Sequence, residues 1–317
     1  MNKKLIKWLL QIIVTIVLLY FALERISLDE FKDVLKGANY YMFLVIPVFL
    51  VVDLWINSYR VFRLYSFYGV KTKLLKVIHV RLQGIFFALL FPSIGDLYKI
   101  QTFKNIYGAS YAKNSLVVFL DRLIFLLALL IVLTPVWLFD IIEVNLLFKL
   151  MISGVLIVVL TVIYIINKPF LVIKLLNLIN KIFNKKVFDL SVEKREGYAL
   201  EITKNTILAV IRHVLTSFLY LAFAYALMPS TDFKLHLFIL TVFSIIISRI
   251  IPLSVGGIGL REYIAVMVFP QIGVAEEYAF AIALIVSFVG IFQGLAGGVS
   301  YIFNRIKKLK SIVADKK

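Results

Sequence analysis

Residues 248–262, S-R-I-I-P-L-S-V-G-G-I-G-L-R-E, lie between two strongly apolar helical patterns. The stretch contains a proline, three glycines within four residues, two arginines and a glutamate. Lipid offers no hydrogen-bond partners, so irregular backbone at membrane depth must be buried in protein or line a wet cavity. Charged residues at such a break are functional-site candidates. We therefore interpret this stretch as half of a binding site.

The composition indicates an all-α polytopic membrane protein. Of the 317 residues, 62% are hydrophobic, and the mean hydropathy is +0.97. Several apolar runs are long enough to cross the hydrocarbon core. We expect a single integral membrane domain over 1–317, with no room for a sizeable soluble domain. The apolar run 8–23 is followed by Glu24 and Arg25 without a cleavage pattern, which predicts a retained first helix.

The net charge of +17 comes from 35 basic and 18 acidic residues. In a membrane protein this excess indicates basic cytoplasmic loops in contact with anionic lipid, and not nucleic-acid binding. The chain has no cysteine, which excludes disulfides and thiolate sites. No Walker A, HExxH or GxSxG pattern is present, and the three histidines are scattered, so no cofactor or metal is expected.

Loop charge predicts the topology. The loop 168–204, with an interfacial amphipathic helix, is the most basic and belongs in the cytoplasm, whereas 140–149 and 229–234 suit the outside. These assignments agree if 77–107 and 235–270 are re-entrant hairpins of opposite orientation, with both termini cytoplasmic. The six full spans are then 7–23, 40–59, 115–139, 150–166, 206–228 and 279–303. Alternatively, hydropathy gives about eight membrane helices, and the two broken segments are kinked spans.

The two broken segments resemble each other. The first, A-L-L-F-P-S-I-G-D-L-Y-K, and the second each have an apolar helix, a proline, a serine, glycine and a new helix that opens with charged residues. Paired broken helices are typical of inverted-repeat transporters, whose site lies where they meet.

The predicted ligand of this site is an anion. A helix that begins near Gly259 offers free N–H groups, Gly256 and Gly257 permit close approach, and Arg249 and Arg261 suit a phosphate. Glu262 is then a partner for an arginine or a recogniser of a cationic headgroup. The alternative is a packing cluster of glycines, with the arginines paired to acids.

The first hairpin supplies a matching set of residues. Asp96 is expected to cap a helix that begins there. Asp121 and Arg122, within a span, are expected to join a buried network, one pairing with Arg249 or Arg261 and the other with Asp96. The set in this hairpin is Ser93, Gly95, Asp96 and Lys99.

These motifs resemble the lysylphosphatidylglycerol synthase transmembrane-region family of flippase-like membrane proteins. The family pattern P-x-S-x-G-G-x-G-x-R-E is matched by Pro252, Ser254, Gly256, Gly257, Gly259, Arg261 and Glu262. G-[DE]-x-x-[KR] is matched by Gly95, Asp96 and Lys99, and the D-R pair by Asp121 and Arg122. The resemblance implies lipid translocation in the cell membrane. In the multiple peptide resistance factor such a region is fused to a soluble aminoacyl-transferase domain, which this sequence lacks, so lysyl transfer is not expected.

Three classes of function follow, the third being a transporter of a small soluble anion. The first is a flippase-like transporter that moves a phospholipid or a lipid-linked anionic headgroup by alternating access. The second is a membrane enzyme or accessory subunit in lipid aminoacylation or lipid-linked glycosyl transfer, with Glu262 or Asp96 as base. The expected partners are membrane lipids, above all anionic phospholipid, and a lipid-modifying enzyme; homo-oligomerisation stays open.

Overall fold

The computed structural model describes residues 3–90, 92–138, 197–228 and 254–314, with isolated positions between 153 and 164 and at 242 and 246. Every regular element in these residues is helical, which confirms the all-α prediction. The helices are α1 (Lys3–Glu24), α2 (Leu28–Lys36), α3 (Val45–Phe67), α4 (Leu74–Leu90), α5 (Pro92–Tyr107), α6 (Tyr111–Leu138), α7 (Tyr198–Leu227), α8 (Leu260–Val268) and α9 (Glu276–Ala314). Three predicted features lie outside the described residues, apart from those isolated positions. They are the span 150–166, the part of the basic loop before 197, and the first half of the second hairpin with Arg249.

Four of the described helical segments are long and apolar enough to cross a membrane. They are Tyr40–Phe67, Tyr111–Val132, Tyr198–Leu227 and Glu276–Ile306, and they correspond to the predicted spans 40–59, 115–139, 206–228 and 279–303. A fifth candidate is formed by α1 and α2 together, which are bent by 86° at the break between them. The chain is therefore a polytopic membrane protein.

The described end of the predicted basic loop 168–204 is the first part of helix α7. Helix α7 begins at Tyr198, so residues 198–204, at the end of the predicted basic connection, are helical. Glu201, in the first turn of α7, forms a bidentate ion pair with Arg63. The Nε atom of Arg63 lies 2.8 Å from Oε1 of Glu201. Neutralisation of both charges makes the polar start of α7 compatible with packing on α3.

The chain forms two compact units. The first contains Met1–Leu54, His79–Tyr98 and Val214–Lys317, and the second contains Trp55–Ile78 and Lys99–His213. In the first unit a core of Ala22, Ile26, Val266 and Phe280 joins α1, α8 and α9. In the second unit the ring centroids of Tyr65 and Phe103 lie 4.3 Å apart and join α3 to α5.

Helix α9 has two unlike faces. Large apolar side chains stay exposed along one stripe, at Phe288, Phe292, Leu295, Val299, Ile302 and Ile306. The opposite face carries Gly294, Gly297 and Gly298, which lie directly against Leu82, Phe86 and Leu89 of α4. Small residues allow membrane helices to approach closely, and an exposed apolar stripe suits contact with lipid. This contact fixes α4 on α9 inside the first unit.

Candidate functional site

The glycine loop before α8 has a backbone that only glycine adopts easily. Gly256, Gly257 and Gly259 have φ values of 63°, 83° and 83°. Side chains other than hydrogen are strained in this region. Residues Val255–Gly257 form a 3-10 turn, and Gly259 is the N-cap of α8. The predicted restart of a helix at about Gly259 is therefore confirmed.

The start of α8 is capped by a carboxylate from within the helix. The Gly259 N–H donates to Oε2 of Glu262 at 2.6 Å. The other oxygen, Oε1, accepts from the hydroxyl of Ser287 on α9. Glu262 is fully buried, at 0% exposure. The carboxylate thus neutralises the positive end of the helix and ties the loop to α9.

Ser287 also connects this carboxylate to an arginine. Nη1 of Arg261 donates to the Ser287 hydroxyl oxygen at 2.9 Å, and the same hydroxyl donates to Glu262. The two oppositely charged groups are therefore linked through one hydroxyl. Of the alternatives for Glu262 that the sequence left open, the contacts place it with an arginine through this relay, although its carboxylate also caps its own helix.

Two buried donors in the same segment have no hydrogen-bond partner among the described residues. They are Nε of Arg261 and the hydroxyl of Ser254, on side chains that are 4% and 3% exposed. Leaving such groups unsatisfied in a buried place is costly, and native proteins do it rarely. An arginine and a serine hydroxyl are suited to the oxygens of a phosphate.

Helix α1 packs against the glycine loop. The hydroxyl of Thr15 accepts from the Val255 N–H at 2.9 Å and donates to the Gln11 carbonyl at 2.7 Å. A Cβ added to Gly259 would lie 2.6 Å from the Thr15 carbonyl oxygen. Sequence analysis missed both Thr15 and Ser287. The available signal was a hydroxyl residue inside an apolar span, where polar side chains usually bond across helices.

The first broken segment is a tight helical hairpin. A Cβ at Gly95 would lie 2.5 Å from the Gly84 carbonyl oxygen and 2.7 Å from Cβ of Ala88, so α5 folds back along α4. The ring of Tyr98 stacks on Phe87, with centroids 4.6 Å apart. The reversal of the chain that the sequence analysis expected in 77–107 is present.

The predicted cap at Asp96 is wrong. Helix α5 begins at Pro92 and not at Asp96, so Asp96 lies in its second turn and Ser93 in its first. Proline is favoured at the first position of a helix because its ring presets φ and it lacks the N–H that would stay unpaired there. Asp96 is half-buried.

The two broken segments meet inside the first unit. The position of a Cβ at Gly256 lies 4.0 Å from the carbonyl oxygen of Leu89, at the last turn of α4. The side chain of Leu89 in turn occupies the space that a Cβ on Gly294 would need. The last turn of α4, next to the turn of the first hairpin, is thus packed between the glycine loop and α9.

The remaining predicted residues belong to the second unit. Asp121 pairs with Arg60, with Nη2 to Oδ1 at 3.1 Å, on side chains that are 16% and 1% exposed. Arg60 of α3 is thus an ion-pair partner of Asp121 that the sequence analysis did not expect. The expected pairing with Arg249 falls outside the described residues, and the pairings with Arg261 and of Arg122 with Asp96 stay predictions. Arg122 is exposed and Lys99 is half-buried. Sequence analysis did not include Arg60 among the site residues and missed this buried pair.

A comparison with known protein families matches residues 8–298 to the lysylphosphatidylglycerol synthase TM region. The chain belongs to this family. The match covers the glycine loop, both charged motifs and the helices that carry them. No curated protein and no solved structure matches the chain. The family and the membrane helices together make the chain an integral membrane protein related to lipid handling.

Proposed function

We propose that this member of the lysylphosphatidylglycerol synthase TM region family is a flippase-like transporter. It moves a phospholipid or a lipid-linked molecule with an anionic headgroup across the cell membrane, while the acyl tails stay in lipid. The two broken segments enter from opposite sides, with both termini in the cytoplasm, and open the site alternately to each leaflet. This arrangement follows from loop charge.

The observation that supports the proposal most strongly is the pair of unsatisfied donors, Nε of Arg261 and the Ser254 hydroxyl. Both side chains are buried. A phosphate oxygen is a suitable acceptor for either donor, and the charge of the phosphate would compensate the guanidinium.

Residues of the glycine loop and of α8 have different roles in this proposal, because the Glu262 carboxylate already caps α8. Glu262 already accepts from Gly259, so in our proposal the phosphate contacts Arg261, Ser254 and the exposed backbone at Gly256. Glu262 and Ser287 then position Arg261.

The test uses protein reconstituted in liposomes that contain fluorescent phosphatidylglycerol. Dithionite bleaches the dye in the outer leaflet, and the fraction that becomes accessible with time gives the rate of translocation. Because a charged hydrogen bond contributes about 1.5–3 kcal/mol, Arg261→Gln should slow translocation roughly tenfold or more. Ser254→Ala should give a smaller loss.

The matched control is Arg25→Gln. Arg25 is also an arginine near a membrane helix, but it is half-exposed and pairs with Glu276 at 3.6 Å. This variant should translocate at the wild-type rate. Lipid extracted afterwards should have unchanged mass. Wild-type rates in Arg261→Gln would contradict the proposed site, and a new lipid mass would favour the enzyme alternative.

A further inference from the structure

A cluster of lysines surrounds the ends of α4 and α5 that lie away from the turn between them. We name this cluster the lysine collar; its members are Lys71, Lys73, Lys76, Lys104 and Lys113. We propose that the collar is a docking surface for the headgroups of anionic phospholipids in one leaflet. All residues of this surface belong to the second unit, whereas Ser254, Gly256 and Arg261 of the proposed transport site belong to the first.

The collar is assembled by specific contacts and not by sequence proximity alone. The backbone N–H of Lys73 donates to the Tyr107 hydroxyl at 3.4 Å, which joins the start of α4 to the end of α5. The side-chain amide of Asn114 donates to the carbonyls of Ile100 and Ala109, at 3.3 and 3.1 Å. These bonds bring the start of α6 to the same end of the hairpin. Lysines that are up to 42 positions apart in sequence, at 71 and 113, therefore share one surface.

The charge of the collar is not compensated within the described residues. Between Tyr68 and Asn114 the sequence contains a single acidic residue, Asp96. None of the ion pairs among the described residues includes a collar lysine. Lys104 instead lies over the ring of Tyr111, with Nζ 3.8 Å from the centroid. The surface therefore attracts anions.

The lysines of α2 provide a contrast. Lys32 and Lys36 each pair with an aspartate three positions earlier, at 2.9 and 3.2 Å. Those pairs lie on an exposed helix face whose charge is balanced locally.

Apolar side chains next to the lysines point to a membrane surface. Leu75 is 80% exposed between Lys73 and Lys76, and Ile106 and Tyr111 are 43% and 48% exposed beside Lys104. Exposed leucine, isoleucine and tyrosine enter the boundary of the acyl chains, while lysines on long stems reach the phosphates. A soluble anion would satisfy the lysines but leave these apolar groups in water.

Lipid binding at the collar would anchor the hairpin of α4 and α5 to the membrane surface. Anionic lipids held by the collar would fix the ends of α4 and α5 at the headgroup level, and would raise the local concentration of anionic lipid beside the protein.

The experiment compares reconstituted full-length variants by the relative association of spin-labelled phosphatidylglycerol and phosphatidylcholine. The wild-type protein should prefer phosphatidylglycerol. The triple variant K71Q/K73Q/K76Q should lose this preference by about fivefold or more at low ionic strength. The charge-preserving variant K71R/K73R/K76R should retain it, and so should K32Q/K36Q, which removes lysines from α2.

Three outcomes would overturn the proposal. The first is an unchanged preference in K71Q/K73Q/K76Q. The second is an equal loss in K32Q/K36Q, which would mean that net charge alone sets the preference. The third is loss of the wild-type preference when inorganic phosphate is added at constant ionic strength, which would show that the collar binds a free anion. The constant ionic strength is needed because salt screens exposed charges over about 8–10 Å.

Discussion

The two broken segments share a pattern of apolar helix, proline, serine and glycine, but different interactions stabilise them. In the first, α5 restarts at Pro92, and Gly95 has ordinary helical backbone. Its lack of a side chain allows α5 to lie against Gly84 and Ala88. The first segment is thus a hairpin held by close packing.

The second segment is held by polar groups and by backbone conformation. Gly256, Gly257 and Gly259 have positive φ. Glu262, Arg261 and Ser287 form a buried network behind them. The same sequence signature can therefore specify a turn fixed by close helix packing in one segment and a turn fixed by a buried polar network in the other.

The largest expected effect comes from Gly259→Ala. Residue 259 has φ 83° and ψ −55°, and its new Cβ would meet the Thr15 carbonyl at 2.6 Å. Backbone strain and overpacking each cost about 1–3 kcal/mol, so the free energy of unfolding should fall by roughly 4 kcal/mol. Chemical denaturation in detergent, followed by tryptophan fluorescence, measures the change.

Gly256→Ala is the matched control for this variant. Its φ of 63° is also positive, but a Cβ there meets only the Leu89 carbonyl, at 4.0 Å. The expected loss is about 1 kcal/mol, from the left-handed backbone alone. Equal losses in the two variants would mean that α1 does not pack on the loop.

A second prediction concerns Gly95→Ala. The added methyl would overlap the Gly84 carbonyl and Ala88 and push α5 away from α4, so the free energy of unfolding should fall by about 2–3 kcal/mol. The same denaturation experiment applies. As a control, Gly290→Ala on α9 meets nothing within 4 Å and should be neutral or stabilising by up to about 1 kcal/mol. A stabilising Gly95→Ala would refute the hairpin.

Of the three site and hairpin variants, Ser287→Ala has the smallest expected effect on stability. It removes the hydroxyl that links Arg261 to Glu262, with an expected loss of about 1–2 kcal/mol. The translocation rate should fall as well, because Arg261 loses its position. Ser300→Ala, which removes another hydroxyl of α9 that contacts His79 and Gln83, should leave the rate unchanged. A loss of rate in Ser300→Ala alone would place the functional contacts elsewhere on α9.

Local features of the fold were predictable from the sequence. The breaks near Pro92 and before Gly259 follow from the chemistry of proline and glycine, and the spans follow from hydropathy. The start of α5 was misjudged because Asp96 is a good cap, whereas Pro92 four residues earlier is a good first residue. The glycine face of α9 had a readable signal, since Gly290, Gly294, Gly297 and Gly298 recur at helical spacing.

The partners of the site residues could not be predicted in the same way. Thr15 bonds to Val255 across 240 positions, and Arg60 pairs with Asp121 across 61. Such contacts depend on how helices pack, and one sequence contains many equally plausible polar partners. Hydropathy places an arginine in a span but does not select its carboxylate.

The most direct test of opposed hairpins is cysteine accessibility in sealed proteoliposomes. The chain has no native cysteine, so single substitutions at Ile94 and Val255 report on the two segments without further changes. A membrane-impermeant maleimide is applied from each side in turn. We predict that Ile94→Cys is labelled only from the cytoplasmic side and Val255→Cys only from the opposite side. Labelling of both positions from the same side would contradict the opposed hairpins and the alternating-access mechanism with them.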